Sequence, residues 1–190
     1  LDVIASLVDT GSRVLDLGCG DGQLLERLRN EKQAVVQGID IDSDMIRACV
    51  ARKVPVMQDN LDEGLKHFPD GSFDYVILSK TLQVVKWPET VLEDMLRVGR
   101  KAIVSIPNFG YWVTRFQLFF GGRMPVNKNL PYQWYNSPNL HFCTIRDLRA
   151  LIKEKGGRIE KEFHLSKGKM IHTPWPNMLA AEVVVMFEKN

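Results

Sequence analysis

Apolar residues fall along this chain in short runs, separated by stretches in which they recur every three or four positions. The runs at 13–17, 34–40, 54–58, 73–78 and 101–106 predict five strands. Each is apolar on most consecutive positions, the pattern of strands covered by helices on both faces. The intervening stretches 22–30, 43–53 and 88–98 predict helices; in the first, Leu24, Leu25 and Leu28 share a face. Ser43 is placed to cap the second helix, and Pro88 sits where a first-turn proline is tolerated. Further on, 144–155 predicts a helix closed by Gly156 and Gly157, and 158–165 and 180–188 predict two more strands. The stretch 166–179, with Pro174 and Pro176, predicts a loop between them. Strands alternating with helices predict an α/β fold, doubly wound around a mostly parallel sheet.

Residues 107–143 break this rhythm. Pro107, Pro125, Pro131 and Pro138 fall here, and ten of the seventeen aromatic residues of the chain lie in this stretch. A structureless loop of this length is uncommon, so a functional insert with some helix, at about 111–120, is expected. Because it follows the fifth strand, it should lie over the carboxyl edge of the sheet, where ligands bind in open α/β folds. Charge is skewed in the same region. From Met95 to Arg146 there is no acidic residue, whereas Arg97, Arg100, Lys101, Arg115, Arg123, Lys128 and Arg146 are basic. Three readings stand: a self-packed lid, a partner interface anchored by Trp, Tyr and Arg, or a lid over an anionic small molecule.

Composition adds bounds rather than a function. At 190 residues, with 45% hydrophobic and 25% charged content, the chain fits one soluble domain with a proper core. A net charge of +2 is too small to argue for nucleic acid. No apolar run approaches the ~20 residues that span a bilayer, so no membrane segment is expected, nor a signal peptide ahead of the first strand. Cys19, Cys49 and Cys143 are widely spaced and odd in number. They suit reduced thiols in a cytoplasm rather than a disulfide framework, and their spacing does not suit zinc, so no metal is expected.

The candidate chemistry starts at Val14-Leu15-Asp16-Leu17-Gly18-Cys19-Gly20-Asp21-Gly22, a strand running into a glycine turn just before a helix. A dinucleotide site wants Gly-x-Gly-x-x-Gly. Here the third glycine, Gly22, comes one residue early, and Gln23 holds the position that pattern needs. The second strand ends at Asp40, about twenty residues after the turn, where an acid can accept hydrogen bonds from both hydroxyls of a ribose. Ile41 can then lie against an adenine. Alternatively, Asp40 and Asp42 simply open the next helix. The third strand ends at Asp59-Asn60, where an acid and the next backbone N–H can meet an adenine edge, or where an Asx turn can form. The fourth ends at Ser79-Lys80, beside the same crevice. Among the histidines only His141, next to the aromatic insert, is an attractive general base, and even there a structural role is the commoner one.

The pattern Asp-x-Gly-x-Gly-x-Gly resembles motif I of class I S-adenosylmethionine (SAM) methyltransferases. That resemblance implies a Rossmann-like, seven-stranded sheet ending in an antiparallel hairpin. It also implies SAM or S-adenosylhomocysteine binding, with the acid at Asp16 steadying the loop and helping to hold the amino acid end of SAM. Gly18, Cys19, Gly20 and Gly22 would form the turn, Asp40 and Ile41 would hold ribose and adenine, Asp59 and Asn60 the adenine edge, and Ser79 the amino acid end through its backbone. The insert narrows the resemblance. Ser105-Ile106-Pro107-Asn108-Phe109-Gly110, Leu130-Pro131-Tyr132-Gln133-Trp134-Tyr135 and Ser137-Pro138-Asn139-Leu140-His141-Phe142 together resemble the methionine biosynthesis protein MetW family over nearly the whole chain. Asp40 stands where glutamate is usual in that family; the shorter acid can still bind a diol. The resemblance implies a partner, homoserine O-acyltransferase, contacted through 107–143, and does not imply a methyl acceptor. A free-standing small-molecule methyltransferase is the competing expectation. A nucleic-acid methyltransferase is disfavoured by the lack of an Asn/Asp-Pro-Pro-Tyr type of motif, and a dinucleotide oxidoreductase by Gly22 and Asp59.

Overall fold

The computed structural model describes residues 1–127 and 130–190; Lys128 lies outside them. The expected strands form as β1 (Arg13–Leu17), β2 (Val35–Asp40), β3 (Val56–Gln58), β4 (Phe73–Ser79), β5 (Gly99–Pro107), β6 (Gly157–Ser166) and β8 (Glu182–Lys189). They belong to one sheet of order β3-β2-β1-β4-β5-β8-β6-β7. The additional strand, β7 (Lys169–Ile171), pairs antiparallel with the end of β6, so the sheet has eight strands rather than seven. The first five strands run parallel, whereas β8 pairs antiparallel with both β5 and β6. Strand order reverses between β1 and β4, which opens a crevice at their carboxyl ends.

Alternation along the strands divides the core in two. Leu15, Leu17, Val76, Leu78 and Val104 pack on one face with Leu92, Met95, Ile145 and Ile152. Those helix residues belong to α4 (Pro88–Val98) and α6 (Ile145–Glu154). On the other face Val14, Val36, Ile77 and Ile103 pack with Ile4, Leu24, Leu28 and Cys49. These come from α1 (Asp2–Leu7), α2 (Gln23–Lys32) and α3 (Ser43–Ala51). Helix α1 was not anticipated; with a single apolar stretch before β1, it has too few turns to show a period.

Caps place the helix ends. Asp42, not Ser43, caps α3, its side chain accepting from the Asp44 N–H at 2.7 Å. Aspartate is one residue better placed to reach that donor while staying extended itself. Helix α6 opens with a capping box between Thr144 and Asp147. The stretch 166–179 is more ordered than expected: besides β7 it contains α7 (Pro176–Leu179), which starts at a proline. A tight hairpin turn at Lys167-Gly168, both with positive φ, folds β7 back on β6, and a first-turn proline starts the helix; neither shows in local hydrophobicity.

The insert contains α5 (Trp112–Gly121), close to the expected position, and a bridge between Asn127 and Leu130. Its two ends are clamped together. The Phe109 N–H donates to the Cys143 carbonyl, and the Phe109 and Phe142 rings lie 5.0 Å apart. Buried Asn108 donates to the carbonyls of Asn177 and Ala180 and accepts from the Gly110 N–H. Among the described residues, no helix is long and apolar enough to cross a membrane.

Candidate cofactor site

The loop after β1 turns through three glycines with positive φ, of which Gly18 and Gly22 show why no side chain is admitted. At Gly18 (φ 69°) a Cβ would stand 2.7 Å from Thr81, and at Gly22 (φ 76°) 2.9 Å from the Cys49 sulfur. The loop is tied to β2 from below, since the N–H groups of Gly18 and Cys19 both donate to the Ile39 carbonyl. Asp40 completes the tie. One of its carboxylate oxygens accepts from the Gly20 N–H and the other from the Asp42 N–H, at 2.8 and 2.9 Å. On the outer side, Arg52 donates to the Asp21 carbonyl and pairs with its carboxylate.

This loop borders a cavity of about 340 Å³. Gly18, Asp40, Ile41, Asp59 and Asn60 line it, so residues from three separate strand ends that sequence alone associated do meet. Asp59 is held by its N–H, which donates to the Asp40 carbonyl, while its carboxylate accepts from the Asn60 N–H. Asn60 in turn caps the short 3₁₀ turn Leu61–Glu63. The Asx geometry considered for this segment is therefore present, beside the cavity. Opposite Asp40 the wall is made by Thr81, Val84 and Val85, none of which was anticipated. A hint was available for Thr81, which lies two residues beyond the end of β4.

The other expected residues, Asp16, Cys19, Gly20, Gly22 and Ser79, do not line the cavity. Asp16 is 2% exposed, and its Oδ1 has no hydrogen-bond partner among the described residues. Burial, helped by the negative charge of Asp40, pushes its carboxyl up to about 8. The Cys19 and Cys49 sulfurs lie 3.8 Å apart, both buried, and burial raises both thiols, so neither is a ready nucleophile. Ser79 exchanges a hydrogen bond with Ser105 at 3.1 Å, and Lys80 pairs with Glu182.

His141 lies elsewhere. It lines a separate concavity with Leu82, Gln83 and Leu148 that shares no residue with the glycine-loop cavity. Its backbone N–H, like that of Leu140, donates to the Gln83 carbonyl, which anchors the Pro-Asn-x-His segment to the loop after β4. Away from its clamped base, the insert exposes its aromatics: Phe119 is 81% and Trp134 73% accessible. Phe119 packs edge-on against Phe120 and Trp134 against Tyr135, yet these pairs remain open to solvent, unlike the base of the insert.

The residues present fit SAM. Its ammonium and sulfonium groups are cationic, and the cavity is lined by the carboxylates of Asp40, Asp59 and Asp62, with the buried, unpartnered carboxyl oxygen of Asp16 two residues before Gly18. No basic side chain lines the cavity. Asp40 retains lone pairs for a diol beyond the two backbone bonds it accepts.

Comparison with known proteins agrees with this geometry. The sequence matches the family described as methionine biosynthesis protein MetW over residues 1–187. It is 36% identical to a bifunctional methionine biosynthesis protein MetXA/MetW of Rhodopirellula baltica, over 98% of this chain and 32% of that one. The chain thus spans about a third of the length of that relative. A demethylmenaquinone methyltransferase of Listeria monocytogenes is 29% identical over 78% of this chain and 71% of its own. Among solved structures, a SAM-dependent methyltransferase from Archaeoglobus fulgidus superposes with TM-score 0.72 at 17% identity, covering 99% of this chain and 94% of its own. One from Thermotoga maritima superposes with TM-score 0.68 at 20% identity, covering 98% and 86%. The fold is that of class I SAM methyltransferases.

Proposed function

This chain belongs to the MetW family, and from that membership and the cavity beside its glycine turn we propose that it binds SAM and acts as an accessory subunit of a homoserine O-acyltransferase. The observation that carries the SAM part is the unpartnered Oδ1 of Asp16 behind the turn, a buried acceptor that a cationic ligand would satisfy. Bound SAM would supply an activated methyl group. The chain's own part is to bind and align: Gly18 admits the ligand closely, Asp40 holds the loop while facing the cavity, and Asp59 lies at its far side.

The accessory role has a different support. The titratable side chains that line the cavity are Asp40, Asp59 and Asp62, each already accepting from backbone N–H groups, and no His, Lys or Cys joins them. The aromatic tip of the insert is exposed as an anchor surface would be. A relative carries MetXA and MetW in one polypeptide, which supports association of the two functions. The partner would dock on 107–143.

Acyl transfer to homoserine by the acyltransferase from the same organism, assayed with and without this chain, tests the accessory role. A large rise in rate and co-elution are expected. An unchanged rate without co-elution would return the weight to a free-standing small-molecule methyltransferase, the reading favoured by the similarity to demethylmenaquinone methyltransferase. For the cofactor, calorimetry of SAM binding to Asp40→Ala should show affinity reduced about 10- to 100-fold, because a ligand contact and the tie to Gly20 are lost together. Unchanged affinity would exclude this cavity as the SAM site.

A further inference from the structure

A second cleft, of about 450 Å³, lies where α5, α6 and α7 converge, and it shares no residue with the cavity at Asp40. Arg115 from α5 and Arg146 and Arg149 from α6 line it, together with Trp175 and Asn177 at the start of α7. No acidic residue lines it. The nearest counter-charge is Glu162, which takes two hydrogen bonds from Arg149, at 2.8 and 2.6 Å, and so neutralises that arginine alone. Arg115 donates through Nε to the Gly110 carbonyl, a neutral partner that fixes the side chain and leaves its charge. The Arg146 guanidinium has no acceptor among the described residues, while its backbone N–H donates to Asn177 Oδ1. Two uncompensated guanidinium groups therefore face one concavity beside an exposed indole.

We propose that this cleft is a binding site for a small organic dianion, a carboxylate or phosphate ester whose apolar part lies on Trp175. Guanidinium groups recognise both anions in the same forked way, and a flat or apolar group stacks on an indole face. The volume is that of a small-molecule site. Arg115 belongs to the insert, whereas Arg146 and Asn177 belong to the domain that carries it. An anion bridging them ties α5 to α6 and α7 and restrains the insert at its base.

Thermal unfolding and calorimetry of the intact chain test the site, with inorganic phosphate, succinate and adenosine 5′-monophosphate as probes at ionic strength fixed with potassium chloride. At least one dianion should raise the melting temperature saturably. Arg146→Gln should weaken that binding about tenfold or more, and Trp175→Ala should weaken the ester more than inorganic phosphate. SAM binding by both variants, at the separate cavity, reports that they are folded. Preference for succinate identifies a carboxylate ligand, and preference for phosphate or the nucleotide a phosphorylated one. The proposal is overturned if no probe saturates, or if Arg146→Gln binds the probes as tightly as the native chain does.

Discussion

Asp16 is the residue on which the cofactor reading turns, because its burial has two measurable consequences. Its ordinary value is 3.8, and burial with the neighbouring Asp40 pushes it up to about 8. Between those values the folded chain holds a proton that the unfolded chain has released. This group therefore makes stability fall as pH rises from about 4 to about 8, with no further loss above. Asp16→Asn should flatten that decline and raise stability at neutral pH by on the order of 1–3 kcal/mol, as denaturant melts at several pH values would show. A cationic ligand opposite Asp16 requires the carboxylate. SAM affinity should accordingly rise with pH up to about 8 and then level, with a proton released on binding; the Asn variant should bind weakly and without that release. Calorimetry in buffers of different ionisation heat separates these outcomes, and a pH-independent affinity would remove Asp16 from the site. At Gly18, substitution by alanine meets both the positive φ and Thr81 at 2.7 Å. A cost of about 1–3 kcal/mol is expected. In a double-mutant cycle Thr81→Ala should recover the steric share only, since the backbone strain remains; full recovery would show that φ is not limiting.

At the scale of elements, the insert divides into a base and a tip with separate energetics. The base is built from buried Asn108, whose amide satisfies the buried carbonyl of Ala180 and the half-buried one of Asn177. The tip carries Phe119 and Phe120 on α5, with Trp134 across a concavity from Phe120. Asn108→Ala should therefore destabilise the whole chain by about 1–3 kcal/mol, whereas Phe119→Asp should leave its melting within about 0.5 kcal/mol of the native chain. If the tip is the docking surface, Phe119→Asp should nonetheless lower the affinity for the acyltransferase at least tenfold, measured by co-elution or interferometry. A variant that binds as well as the native chain would move the interface off α5. Glu162 of β6 links that strand to α6 through Arg149. Burial works to raise its carboxyl, but hydrogen bonds from Arg149 and His164 outweigh it and hold the group below its ordinary range. Its contribution is present above the unfolded value and is lost as pH falls through the lowered one.

For the molecule as a whole, the crevice at the carboxyl ends of β1, β2 and β4 joins segments far apart in sequence. The tie from Gly20 to Asp40 and that from Asp59 to Asp40 each cross between adjacent strands. A ligand bound there adds its free energy to that of folding, since the unfolded chain has no such site. SAM at a hundredfold excess over its Kd should add about 2.7 kcal/mol, or about 5–10 °C for a chain of this size. Hydrogen exchange should slow at 18–20, 40–42 and 59–61 together. Protection confined to one of these segments would mean that the ligand does not span the crevice.

Local periodicity and turn chemistry carried much of this in the amino-acid sequence. The two-sided apolar runs pointed to a parallel sheet, because strands covered on both faces are apolar at most consecutive positions. The glycine turn could be assigned because its positive φ values favour glycine and because a Cβ at Gly18 or Gly22 would meet Thr81 or Cys49. That Asp40 and Asp59 would share one cavity was legible from their places at strand ends. Tertiary structure alone decided the rest. Short elements such as α1, β7 and α7 have too few residues for a period; α1 is held by the burial of Ile4, Ala5 and Leu7, and β7 by its pairing with β6. Thr81, Val84 and Val85 joined the cavity wall because β4 returns beside β1, a neighbourhood that no local pattern encodes. His141, whose backbone bonds to Gln83, lines a different concavity from the one at Asp40. Whether the aromatics of the insert turn inward or outward depends on how its clamped base sits on Asn177 and Ala180, and burial is a property of the assembled surface rather than of the residues in order.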